Sequence, residues 1–133
     1  MKLAIRVPIR TTNPNNGQIG NSRLAAILRA KDRKAKRQAV FVMLRAHDAR
    51  PFVDGCEVVV RRVAPSQGLD PHDGLGAALK PVFDAIADWL GYRSDRDPRV
   101  RWVPEQRRGA RGEYAVEIEI EQRAVTTTQG ARA

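Results

Sequence analysis

Between Leu69 and Trp102 the chain reads LDPHDGLGAALKPVFDAIADWLGYRSDRDPRVRW, which places Asp70, Asp73, Asp84, Asp88, Asp95 and Asp97 around a single lysine, Lys80. The rest of the protein is basic, with 24 Lys and Arg against 15 Asp and Glu and a formal net charge of +9. A pocket of three or four carboxylates is the usual hard-oxygen site for Mg²⁺. Within a basic surface, such a pocket suits phosphodiester hydrolysis: a metal polarises the phosphate and helps activate water, and a nearby lysine offsets developing charge.

The elements that must position these groups follow from periodicity. At roughly 100° per residue, a helix from Asp73 to Leu90 puts Leu75, Leu79, Val82, Ile86 and Leu90 on one side. Asp73, Lys80 and Asp84 then fall within about 20° of a common line opposite. Gly91 supplies a stop, and YRSDRDP returns Asp95 and Asp97 toward a strand of the same sheet. The spacing alone does not say which end of the helix receives them. Each residue also has a plain structural role open to it. Asp73 suits a helix N-cap, Lys80 and Asp84 an i,i+4 pair, Asp88 a solvated face, and DRDP a turn.

KLAIRVPIR alternates Leu3, Ile5, Val7 and Ile9 with polar or small neighbours, as an amphipathic strand that Pro8 makes an edge strand or ends. TTNPNNGQIGN is loop by its Asn, Gly and Pro content, and long for a plain connection. Ser22 can cap a basic helix running to about Ala46, with an apolar stripe of Leu24, Ile27, Leu28, Val40, Met43 and Leu44. CEVVVRRVAP is a strand that Pro65 stops, RVRWV a third, and GEYAVEIEIE a fourth with Tyr114, Val116, Ile118 and Ile120 on one side. PEQRRGARG reads as a basic hairpin loop between the last two. The expected fold is an α+β domain, a small mixed sheet with two main helices packed on one face. One domain over 1–122 and a mobile tail over 123–133 are expected.

A strong positive charge makes nucleic acid the default partner, with an anionic membrane surface as the rival. The longest apolar run is short and no signal-type segment opens the chain, so a soluble, cytoplasmic protein with no membrane association is expected. Low aromatic content, 5%, argues against stacking bases on aromatic platforms and toward contact through phosphates and shape. Cys56 is the only cysteine. It excludes an intramolecular disulfide and reads as a small buried hydrophobe.

The combination of DGL at Asp73–Leu75, KPxxDAI at Lys80–Ile86, LG at Leu90–Gly91 and SDRDPRVRW at Ser94–Trp102 resembles the RusA family of phage and prophage Holliday junction resolvases. The order of strand, Asn-rich loop, basic helix, strand, motif block and final strands extends the resemblance over most of the chain. It implies a homodimeric endonuclease, dependent on Mg²⁺ (or Mn²⁺), that recognises four-way DNA junctions by shape and nicks paired strands. Carried over residue by residue, Asp73, Lys80 and Asp95 are the catalytic set. Asp70, Asp73 and Asp95 hold the metal, with Asp97 a further candidate. Phosphate contacts are expected from Arg23, Arg29, Arg33, Lys34, Lys36 and Arg37 on the basic helix, and from Arg107, Arg108 and Arg111 for an adjacent duplex arm.

The chain departs from the family's D-x-D-N pattern at Pro71, at His72 and at Gly74, and Ser94 replaces the first acid of the downstream pair. Lys80 comes seven residues after Asp73, where the family's shorter pattern has four. Positions four and seven share a helix face, so the lysine keeps its direction one turn further along. Either Asp70 supplies the missing acid through a shifted loop, with His72 assisting, or the pocket is degenerate. The alternatives to a working resolvase are therefore a weak or inactive RusA-like protein that binds branched DNA, and a general basic nucleic-acid-binding module.

Overall fold

The computed structural model describes residues 1–11, 22–65, 68–69 and 74–123. In chain order these form β1 (Lys2–Val7), α1 (Arg23–Leu44), a 3₁₀ turn (Arg50–Phe52), β2 (Cys56–Ala64), α2 (Gly74–Leu90), β3 (Val100–Arg108) and β4 (Ala115–Gln122). The four strands make one mixed sheet in the order β1-β4-β2-β3. β2 and β3 are parallel and α2 crosses between them, while β4 runs antiparallel to both β1 and β2. The architecture is the expected small α+β fold.

Strand pairing explains the alternation of residues along each strand. On the inner face, Leu3, Ile120, Val58 and Trp102 form one cross-sheet row and Ile5, Ile118, Val60 and Pro104 the next. Buried members of these rows join Leu79, Val82, Ile86 and Leu90 of α2 and Val40 and Leu44 of α1 in one core. The third row, Val7, Val116, Arg62 and Gln106, turns polar on its β2 and β3 side.

The outer face carries charge instead. Arg6, Glu117, Arg61 and Glu105 form a row of alternating sign across all four strands. Arg61 reaches Glu105 at 2.9 Å, Glu117 at 3.2 Å and Glu119 at 3.3 Å. Opposite charges facing each other across a sheet support the pairing, and the ladder leaves this face close to electrically balanced.

α2 is apolar around most of its circumference because the sheet covers one side and α1 another, so that Ala78, Phe83, Ala85 and Ala87 are buried as well as the expected stripe. Pro81 lies inside this helix and leaves the Ala77 carbonyl without its usual partner. Ser22 caps α1 as expected, its hydroxyl accepting from the Ala25 amide at 3.0 Å.

The apolar stripe on α1 is corrected by the structure. Ala25, Val40 and Leu44 are its buried residues, whereas Leu24 is 65% exposed and Ile27, Leu28 and Met43 also face outward. The inward line of α1 runs along its length through Ala25, Arg29, Lys36, Val40 and Leu44, and Leu24, Ile27 and Leu28 lie on the opposite side of the helix.

The expected hairpin is corrected too. RVRWV is the start of a strand that continues through Pro104 to Arg108, and β3 and β4 lie on opposite sides of β2 instead of pairing with each other. Pro104 is tolerated because β3 is an edge strand. The link over 109–114 passes the end of β2, where the Gly109 amide donates to the Ala64 carbonyl at 2.8 Å. A side chain at Gly109 would meet Val63 at 2.9 Å, so this close crossing requires glycine.

Beyond Arg123, the expected C-terminal tail lies outside the described residues. Among the described residues no helix is long and apolar enough to cross a membrane.

Candidate functional site

The loop after α2 folds back along the helix. Lys80 donates to Asp95 at 2.8 Å and lies 3.2 Å from Asp84 one turn further on. One ammonium thus joins two carboxylates from separate elements, and the open question of where Asp95 arrives is answered: it reaches the polar line of α2 at Lys80. Partial burial pulls the Lys80 ammonium downward, but the bonds to Asp95 and Asp84 outweigh it and hold the group above its ordinary range. Lysine is therefore cationic throughout the neutral range.

Asp97 turns elsewhere. Arg99 holds it through a 2.7 Å side-chain bond and through its backbone amide at 3.0 Å, which together bring the carboxyl down to about 2. The Arg99 guanidinium stacks on Tyr92 at 4.1 Å. Tyr92 in turn donates its hydroxyl to the Val53 carbonyl, fixing the start of the loop to the body of the fold.

Asp70, Asp73 and the His72 between them lie outside the described residues, together with the Asn-rich loop 12–21. The segment entering that stretch is nonetheless held by a residue that composition does not single out. The Gln106 side chain accepts from the Leu69 amide at 2.8 Å and donates to the Leu69 carbonyl at 2.7 Å, as a neighbouring strand would. Gly68 makes room for it: a Cβ there would come within 2.8 Å of the Gln106 amide. The residue just before Asp70 is thereby pinned to the edge strand β3.

Among the described residues, no three His, Cys, Asp or Glu gather closely enough to hold a metal ion. Asp84 and Asp95 do share one positive charge, Lys80's own ammonium, so this part of the donor set is hard oxygen and already arranged around a cation. Carboxylate oxygen is the donor type Mg²⁺ prefers, but of the expected ligands that are described, Asp95 is bonded to Lys80 and Asp97 to Arg99.

Alongside this cluster runs a groove of about 240 Å³ between the two helices, lined by Arg33, Lys34, Arg37, Lys80 and Asp84 among others. Arg33 and Lys34 make no ion pair among the described residues. Arg37 instead bonds Asp88, tying α1 to α2, so Asp88 is not simply a solvated residue. Asp88's charge raises the Arg37 guanidinium through that bond, against a smaller loss from burial.

Lys36 lies off the groove. Its side chain is only 12% exposed and its ammonium is 2.7 Å from Asp32. Arg29 is half-buried and engaged, while Arg23 is exposed at the helix start. Of the arginines assigned to the hairpin loop, Arg107 belongs to β3 and reaches Glu117 at 3.0 Å, and Arg108 donates to the Pro65 carbonyl at 3.3 Å. Arg111 alone sits in the link, exposed.

α1 carries seven basic residues against one aspartate, and the outer sheet face is balanced by its glutamates, so the excess charge lies on the helical side.

Arg62 is the other residue that sequence reasoning missed. It lies on the inner face and is 6% exposed. Its signal was present: in VVVRR the period-two pattern puts Arg62 in line with Val58 and Val60, where a core residue is expected.

No protein-family model matches the chain, and no curated protein matches it either.

Proposed function

We propose that the protein is a structure-specific DNA endonuclease of the RusA type, which resolves four-way junctions by paired nicking. The observation that carries this reading is the return of Asp95 from its loop onto Lys80 of α2. It joins two of the three residues that the resemblance makes catalytic. Asp73, immediately ahead of Gly74 at the start of α2, is the third.

In this reading Asp73 and Asp95 hold Mg²⁺ or Mn²⁺, with Asp70 in place of the missing acid at Pro71. The bound ion supplies Lewis-acid polarisation of the phosphate and a more acidic water. Lys80 supplies fixed positive charge beside the scissile phosphate, and its raised affinity for a proton keeps that charge in place. Arg33 and Lys34 meet neighbouring phosphates along the groove, setting position but not sequence. A homodimer with two-fold symmetry presents two such sites to symmetry-related strands of a junction.

A second reading has its own observation. Lys80 neutralises both Asp84 and Asp95, as befits a protein that binds branched DNA without cutting it. One experiment separates the two: labelled four-way junction and linear duplex are incubated with the protein in Mg²⁺, Mn²⁺ or EDTA. Paired, metal-dependent nicks confined to the junction support the endonuclease. Junction-selective binding with no nicks in either metal leaves the non-cutting binder, and equal affinity for duplex removes both.

A further inference from the structure

Arg61 and Arg62 are neighbours in sequence and opposites in environment. Arg61, on the outer face, has three glutamates within 3.3 Å. Arg62, on the inner face, makes one hydrogen bond among the described residues, from Nε to the Thr11 carbonyl at 3.3 Å, and no ion pair. The Thr11 hydroxyl beside it is buried and has no hydrogen-bond partner among the described residues. A cation taken out of water without a counter-charge costs several kcal/mol, and a buried unpartnered hydroxyl adds to that cost.

Among the described residues no carboxylate pairs with Arg62, and only Tyr114 favours its charged form against the larger effect of burial. The Arg10 guanidinium is close enough to oppose it, adding to the effect of burial in lowering its proton affinity, and is itself stacked 4.5 Å from the Tyr114 ring. Val116 and Gln106 flank Arg62 across the sheet, and Gln106 is already committed to Leu69. Two guanidinium groups and a hydroxyl donor are thus gathered at one end of the sheet with no carboxylate bonded to them among the described residues. That end carries the exit of β2 toward Asp70 and Asp73.

We propose that Arg62, with Arg10 and the Thr11 hydroxyl, forms a binding site for a phosphate group at the C-terminal end of β2. Phosphate is the anion that suits it: a guanidinium fork matches two of its oxygens, a hydroxyl donor a third, and a double negative charge is shared by two cations. The site is separate from the α1–α2 groove and does not rest on the nuclease reading, because its test measures anion binding.

The test is thermal unfolding of the full chain in chloride and in inorganic phosphate at matched ionic strength and pH 7. Wild type is expected to gain Tm with phosphate in step with ln(1 + [phosphate]/Kd), without a plateau, as linkage requires of a ligand that binds only the folded state. Arg62→Met is expected to lose that gain and, lacking the uncompensated charge, to match or exceed wild type in chloride. Arg33→Ala combined with Lys34→Ala is expected to keep the gain. No phosphate-specific rise in wild type, or a rise that survives Arg62→Met, overturns the site.

Should Arg62→Met show no cooperative transition, Arg62→Lys serves instead. It keeps the charge and loses the fork, with an expected weakening of apparent phosphate affinity of roughly tenfold. Unchanged affinity overturns the proposal. Four-way junction binding identifies the source of the phosphate: a loss of junction affinity in the variant assigns it to the nucleic-acid backbone, and an unchanged one assigns it to a free phosphate or phosphate monoester.

Discussion

Lys80 Nζ lies 2.8 Å from Asp95 Oδ1, although the two are fifteen residues apart and belong to a helix and a loop. Because the pair is half-open to water, it contributes little to folding; exposed ion pairs are worth about 0–1 kcal/mol. Lys80→Met is therefore expected to leave the denaturant midpoint nearly unchanged while lowering junction nicking about 10²-fold or more, as for loss of a transition-state charge contact. Single-turnover nicking and urea titration of the same preparation check both halves. A variant that nicks normally removes Lys80 from the chemistry.

Gln106 and Gly68 act as one device, since the Gln106 amide occupies the space a Gly68 side chain would need. Gln106→Ala loses two hydrogen bonds to Leu69, which predicts a stability loss of about 1–3 kcal/mol at 0.5–1.5 kcal/mol per bond. Gly68→Ala displaces the same amide and is expected to resemble it. The double variant is expected to be much less destabilised than the sum of the two, because both remove one interaction. Strict additivity in urea melts would show that Gly68 and Gln106 serve separate purposes.

Arg37 clamps α1 to α2 through Asp88. A double-mutant cycle with Arg37→Ala and Asp88→Ala is expected to give a coupling of about 0.2–1 kcal/mol. Releasing the arginine by Asp88→Asn is expected to tighten duplex DNA binding and steepen its dependence on salt, since one more cation becomes available to displace counterions. Unchanged affinity and slope would place Arg37 outside the DNA footprint.

Burial pushes the Cys56 thiol up from 9.0 to about 11, with Arg123 opposing it weakly. The folded state therefore holds this proton more tightly than the unfolded chain. The associated stability is complete below pH 9 and is lost as pH rises from about 9 toward 11. Urea midpoints at pH 8 and pH 10.5 are expected to fall less in Cys56→Ala than in wild type. At pH 8 the native thiol is expected to react with an aromatic disulfide reagent only at the rate of opening, and rapid labelling would show that Cys56 is accessible.

Much of the fold was legible because one-sided burial imposes a period. Val116, Ile118 and Ile120, and Leu79, Val82 and Ile86, occupy the inner positions that alternation and helical spacing assign them. α1 misleads because Leu24, Ile27 and Leu28 lie about half a turn away from Val40 and Leu44 at roughly 100° per residue, so they form an outward-facing group and not one stripe with them. The full length of β3 is hidden in the sequence because Pro104 and the charged residues after it carry loop signals. Its pairing with β2 on one side only makes the missing amide harmless.

The site was legible in part for a different reason. Local sequence shows that Lys80 and Asp84 share a helix face, but nothing local fixes the path of YRSDRDP, and the placement of Asp95 depends on the Tyr92 and Arg99 anchors. Two adjacent arginines at 61 and 62 suggest a solvated strand, yet strand parity sends Arg62 inward. Gln106 stood in a stretch read as loop, where its side chain had no evident work.

The sheet order β1-β4-β2-β3 has a consequence for how the molecule comes into being. β4 lies between β1 and β2, so among the described residues β1 has no sheet partner until residues 115–122 have been synthesised. An emerging chain can join β2, α2 and β3 early, but its N-terminal strand must wait for the far end. Pairings of such long sequence separation slow folding. A chain cut short before Ala115 leaves two unpaired strand edges exposed, the condition in which nascent proteins are most prone to aggregate.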